Sequence, residues 1–187
     1  MKLYKVIFFI LATFFSNISF SSGIDDLVLP NGFKVTLFAK NIEAPRQMVE
    51  GKNYIFVGGI KGKIYALKKN SISQNKTVIV SGLNNSRGVA LKNGDLYFSE
   101  VDKIWVIKKV EKYLDENINI EPAKVLFNND LPSESWHGGK WIKFGPDGNL
   151  YANVGAPCNV CLDGIDKNPV FASILRLNKE NKWNTVA

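Results

Sequence analysis

His137 is the only histidine of the 187-residue chain, and Cys158 and Cys161 are its only cysteines; all three fall in one stretch, Ser135 to Cys161. An imidazole changes charge near neutral pH and can accept or donate a proton there, which suits it to general acid–base work. Beside it, Trp136 offers a flat face for stacking and Lys140 a cation. Gly138 and Gly139 let a ligand approach the backbone closely. Two cysteines with two residues between them can form a disulfide, a redox dithiol or half of a zinc site.

The choice among these depends on the compartment. Residues 1–22 read as a secretory signal: Lys2 and Lys5 make a basic start, Val6 to Phe15 an apolar run, and Ser19 and Ser21 place small residues before a cut. The run is short for a membrane span, so none is expected once the signal is removed; an uncleaved anchor is the alternative. Export to the periplasm or beyond favours a disulfide. The reach is feasible, because the ends of a four-residue turn lie within about 7 Å and bridged Cα atoms sit ~4.4–6.8 Å apart. So short a loop gains only ~2 kcal/mol from closure, and local rigidity is the expected effect. A thioredoxin-like pair would open a βαβ helix, whereas this one follows a strand and Pro157. A zinc site would need further ligands, which the chain does not visibly supply.

The elements that must position these groups are strands. Hydrophobic content of 45% with 22% charged residues is that of a folded globular protein, and one domain, 23–187, is expected. The net charge of +7 is spread singly among apolar residues, without the stripe of a nucleic-acid surface. Phe33, Val35, Leu37 and Ala39 alternate with polar residues and predict a half-buried strand. Trp141 to Phe144, Gly-Pro-Asp-Gly and Leu150 to Val154 predict a hairpin.

A unit then repeats. Tyr54-Ile-Phe-Val leads to Ile64-Tyr-Ala-Leu, Leu96-Tyr-Phe-Ser to Ile104-Trp-Val-Ile, and Leu150-Tyr-Ala-Asn to Ser173-Ile-Leu-Arg. Short strands beginning at Arg46, Arg87 and Lys140 precede the three pairs, and Thr77 to Val80 and Lys124 to Phe127 lie between units. Only Tyr113 to Ile120 has room for a helical turn. Four strands in a period of about 40–50 residues mark a β-propeller blade. The fold class is therefore all-β, with about three blades where a propeller needs roughly four to eight, so a longer natural chain or a completing companion is expected. A small sandwich is the alternative fold.

In a propeller the residues before each inner strand converge near the axis. Here they are Arg46 and Gln47, Asn85 and Arg87, and Trp136, His137 and Lys140. Cations and a stackable ring around one mouth would suit an aromatic anion. Solvated strand starts are the plainer reading of the three cations.

The block Trp136-His-Gly-Gly-Lys-Trp-Ile-Lys-Phe-Gly-Pro-Asp-Gly-Asn-Leu-Tyr-Ala-Asn-Val-Gly-Ala-Pro-Cys-Asn-Val-Cys resembles the glucose/sorbosone dehydrogenase family, most closely its sorbosone dehydrogenase-like branch. Leu29-Pro-Asn-Gly-Phe-Lys-Val, Gly62-Lys-Ile-Tyr-Ala-Leu and Asn85-Ser-Arg-Gly-Val-Ala-Leu are similar to that family's early blades. The resemblance implies a six-bladed propeller, periplasmic or secreted, that holds pyrroloquinoline quinone (PQQ) with a calcium ion. It implies oxidation of a sugar or related aldehyde, with electrons passed to an external acceptor. It matches His137 to the catalytic base, and the quinone's carboxylates suit Arg46, Arg87 and Lys140, with Trp136, Gln47 and Asn85 beside them. Calcium ligands are expected in later blades that this chain lacks, so the 187 residues alone are expected to be inactive. Trp136 stands where the glucose-oxidising branch usually has a polar residue, which argues against glucose itself.

Two other functions compete: a metal-dependent propeller lactonase or hydrolase, for which Glu43 and Asn85 are the available ligands, and a non-catalytic propeller that binds a ligand or partner on its top face. The exported reading is tested at the N-terminus. Sequencing of the secreted protein should begin at Ser22 or within a few residues of it, and a start at Met1 would overturn the signal.

Overall fold

The computed structural model describes residues 24–70, 76–120, 124–128, 131–161, 163–178 and 182–187. The signal expected over 1–22 lies outside them, as does Leu162. The chain divides into two units, Met1–Leu37 and Phe38–Ala187. In the first, a 3-10 turn at Ile24–Asp26 precedes extended, exposed chain. The strand expected over Phe33 to Ala39 is not formed: Phe33 is 72% exposed, and Ala39, beyond the unit boundary, makes only an isolated bridge. An alternating pattern becomes a strand only where an edge pairs with it, and no described residue pairs with Phe33 to Leu37.

The second unit is three four-stranded antiparallel sheets of a β-propeller. The first contains β1 (Pro45–Glu50), β2 (Tyr54–Gly59), β3 (Lys63–Lys68) and β4 (Lys76–Val80). β5 (Val89–Lys92), β6 (Asp95–Ser99), β7 (Lys103–Ile107) and β8 (Lys124–Asn128) make the second. The third has β9 (Ile142–Phe144), β10 (Leu150–Val154), β11 (Ser173–Leu177) and β12 (Trp183–Thr185). Tyr54, Tyr97 and Tyr151 each fall in the second strand of a sheet, as the repeat predicts. The inner strands start at Pro45, Val89 and Ile142, so Arg87 and Lys140 belong to the loops that enter them. Two short helices differ from expectation: one begins at Val110, ahead of Tyr113, and another, Gly164–Lys167, forms inside the insertion after Cys161.

The blades pack face to face. Phe56, Ile64 and Ala66 of the first meet Val89, Leu96 and Phe98 of the second. Ala90 and Ile104 of the second meet Ile142, Leu150, Ala152 and Leu175 of the third. Each of these side chains is at most 3% exposed, and burying one is worth about 1.5–3 kcal/mol for the larger apolar types.

Apolar packing does not satisfy the inner edges, since among the described residues β1, β5 and β9 have a ladder partner on one side only. Gln47 of β1 supplies what is missing. Its Nε2 donates to Ile142 O at 2.7 Å, and its Oε1 accepts from Ile142 N (3.2 Å) and Val89 N (3.3 Å). One amide therefore joins all three inner strands. Gln47→Leu keeps the bulk and leaves those backbone groups unpaired, so urea unfolding should show a loss of ~2–4 kcal/mol. Met48→Leu, at a neighbouring position 68% exposed, should stay within about 0.5 kcal/mol. Equal effects would contradict the role given to the amide.

Candidate functional site

Each loop that enters an inner strand has a non-glycine residue with left-handed backbone shortly before the strand: Ala44 (φ 42°), Asn85 (φ 52°) and His137 (φ 52°). Asparagine takes this conformation readily, whereas for alanine and histidine it costs roughly 1 kcal/mol or more, which the packing around these loops must offset. Gly59 lies so close to Glu43 and Ala44 that a Cβ there would meet Glu43 O at 2.7 Å.

The His137 turn is held from three sides. Gly138 N donates to Ser135 O at 3.0 Å. The Arg87 side chain lies across Gly139, where a Cβ would stand 2.2 Å from Nε, so glycine is required for this approach. On the far side, His137 Nδ1 sits 3.1 Å from Ala156 O. A carbonyl can only accept, so Nδ1 carries the proton and the neutral ring keeps Nε2 as a bare acceptor. The ring is exposed, with the Trp136 ring centroid 5.5 Å away and Trp136 itself 58% exposed.

Arg87 and Arg46 face the same region. Arg87 Nε donates to Asn85 Oδ1 at 2.8 Å, and Arg46 Nη1 to Pro45 O at 2.9 Å. Partial burial draws the Arg87 pKa below its ordinary value, and the neighbouring Arg46 charge adds to that. Neither guanidinium has a carboxylate partner among the described residues, so two like charges converge without compensation. That donor set suits an anion.

Lys140 is placed differently from its expected position at an open mouth. It is 1% exposed, and its Nζ donates to Gly138 O at 2.7 Å, beneath the His137 turn. Burial lowers its pKa to about 8, against the opposing influence of Glu134 and Asp102. Gln47 likewise commits its amide to the inner strands. Arg46, Asn85, Arg87, Trp136 and His137 remain around the mouth.

Two supports were not foreseen from sequence. Ser99 Oγ accepts from Gly88 N (3.0 Å) and donates to Lys140 O (2.9 Å), tying the Arg87 loop to the His137 loop. Glu100, 7% exposed, accepts from Asn84 N and from Trp105 Nε1, which holds the Asn85 loop from below. A Ser-Glu pair closing a strand gives no sign of this in sequence. Cys158 and Cys161 are bridged, with Cα atoms 5.6 Å apart. As for the hydrolase reading, Glu43 is paired with Lys63, and Asn85 is engaged by Arg87.

No family model matches the chain. It is similar to an uncharacterized protein of Borreliella burgdorferi strain B31, 30% identical over 162 residues that make up 82% of this chain and 42% of that one. Among solved structures it is similar to a Trichoderma reesei protein of carbohydrate-active enzyme family AA12 (iodide structure; TM-score 0.66, 16% identity, 83% of this chain and 41% of that one). It is also similar to the holo PQQ domain of pyranose dehydrogenase from Coprinopsis cinerea (TM-score 0.58, 14% identity, 74% and 34%). The chain thus spans about two-fifths of the relatives' length, and the likeness in structure is one of fold.

The buried ammonium predicts a pH dependence. Below pH 8 both folded and unfolded chains carry the Lys140 proton, and the folded one bears the full cost of burying it. As pH rises through about 8 the folded chain releases the proton while the unfolded chain, with its ordinary pKa near 10.4, retains it; stability therefore rises with pH. Between pH 7 and 10 the native protein should gain on the order of 2 kcal/mol in urea unfolding relative to Lys140→Met. Parallel curves for the two proteins would contradict a charged, buried Lys140.

Proposed function

We propose that the protein is part of a PQQ-dependent dehydrogenase that oxidises a sugar or sugar-derived aldehyde in the periplasm or outside the cell, with His137 as the general base. The observation that carries this reading is one juxtaposition. An exposed imidazole with Nε2 bare lies beside an exposed indole, and the guanidiniums of Arg87, in the adjoining loop, and Arg46, at the start of β1, have no carboxylate partner among the described residues. The resemblance of the Trp136-to-Cys161 block to the glucose/sorbosone dehydrogenases supports it. So does the fold shared with the PQQ domain of pyranose dehydrogenase.

The residues fit such a group. Arg46 and Arg87 supply donors for carboxylates, and Trp136 a face for a flat ring. When bound, the quinone supplies a two-electron acceptor for a hydride from the substrate carbon. The chain's own part is to orient the substrate and move a proton: Nε2 of His137 takes the hydroxyl proton as the hydride leaves, and the imidazolium then returns it to water. Its charge is carried by an exposed ring, while the Ala156 carbonyl continues to accept from Nδ1. No three histidine, cysteine or acidic side chains gather among the described residues. We therefore assign calcium no ligand among these residues.

The test uses the full-length protein with PQQ and calcium, reading reduction of an artificial dye against a panel of aldoses and aldehydes. His137→Ala should lose a factor of about 100–10,000 in turnover and still bind the quinone. Near-full turnover in this variant would sink the assignment.

A further inference from the structure

We infer that the Gly155–Cys161 loop, closed by its disulfide, is the positioning element that holds His137 in the Nδ1–H tautomer and so keeps Nε2 bare. This rests on the proposed role of His137 for its catalytic meaning alone; the tautomer is a property of the chain without any quinone.

Three observations converge on that loop. Ala156 O is the group that receives Nδ1–H, at 3.1 Å, and a neutral carbonyl directs the proton without adding charge to the site. Pro157 follows Ala156 and disfavours the helical region for it, which limits the directions its carbonyl can take. At Gly155 a Cβ would stand 2.4 Å from His137 O and 2.9 Å from His137 Cβ, so the loop backbone lies directly against the backbone of the histidine it orients.

The bridge closes the loop from its other end. Cys158 and Cys161 are joined two residues beyond the carbonyl, and the chain returns over them. A Cβ on Gly164 would come within 2.9 Å of Pro157 Cγ and 3.0 Å of Cys161 Cβ, so the short helix that starts there backs both residues. Within the loop Asn159 and Val160 are exposed, Val160 at 82%. The left-handed backbone of His137 fixes one end of its hydrogen bond and the bridged loop fixes the other.

The single histidine makes this directly measurable. In the 187-residue chain with 15N-labelled histidine, at a pH where the ring is neutral, long-range proton–nitrogen spectra should show Nδ1 protonated and Nε2 bare. An unrestrained imidazole favours the opposite tautomer. Tris(2-carboxyethyl)phosphine delivers two electrons, and two protons from water complete the pair of thiols as the phosphine becomes its oxide. The Nδ1–H to Nε2–H ratio should then fall by a factor of about 2–10, the worth of one hydrogen bond, and recover on reoxidation. The double variant Cys158→Ser, Cys161→Ser should show the fallen ratio permanently. The amide of Gly88, which donates to Ser99 in the neighbouring blade, should stay unchanged throughout. An Nε2–H ring in the oxidised chain, or a ratio insensitive to the bridge, overturns the inference. So does a change that appears only when the Gly88 signal is lost as well, because the bridge would then be holding the fold. A fully active His137→Ala enzyme would remove the catalytic role and leave these outcomes as they are.

Discussion

The structure depends on a single side-chain amide. Three sheets can stack through apolar faces in several ways, because dispersion and burial have little directional preference. Hydrogen bonds have direction, and Gln47 spends its oxygen and one of its N–H groups on the inner strands of two other blades. The register of those strands about the axis follows from it. The loops that enter the strands follow in turn, and two of these carry Arg87 and His137, while Arg46 stands at the start of β1 itself. The candidate site is therefore set by a residue that is itself unavailable to a ligand.

Much of the fold was legible in the sequence because each blade is made of neighbours. The three Tyr-containing strands, their partners and the turns between them depend on alternation and on turn residues such as Asn93-Gly94, whose backbone is left-handed at both positions. The segment from Phe33 to Leu37 shows the limit of the same signal. Its alternation is as clear as that of any true strand, yet a strand is a relation between two segments and the pattern describes only one. Helix positions failed for a related reason: Val110 is an apolar residue that a strand could equally use, and its burial in the core between the blades fixes the choice.

The site was legible as a list of residues and less so as an arrangement. His137 stands out by being alone, and its neighbours Trp136 and Gly139 take the parts their chemistry suggests. Lys140 does not, because nothing in a sequence distinguishes a lysine whose stem runs outward from one whose ammonium caps a buried carbonyl two residues back. Ser99 and Glu100 were invisible for the complementary reason. They act on main-chain groups of other loops, and main-chain partners leave no mark in the residue types.

The range of the axial contacts bears on the order of assembly. Ladder partners lie close along the chain, as in Lys92 opposite Asp95, whereas Gln47 and Ile142 are separated by 95 residues. Loop-closure entropy opposes the distant pairing until the intervening segments are compact, and each blade supplies that compaction from local contacts. The blades are thus the early cooperative units, and the convergence of their entry loops comes afterwards. By the same reasoning the mouth is the first region to open in partial unfolding, so the candidate site is assembled last and is lost before the blades that frame it.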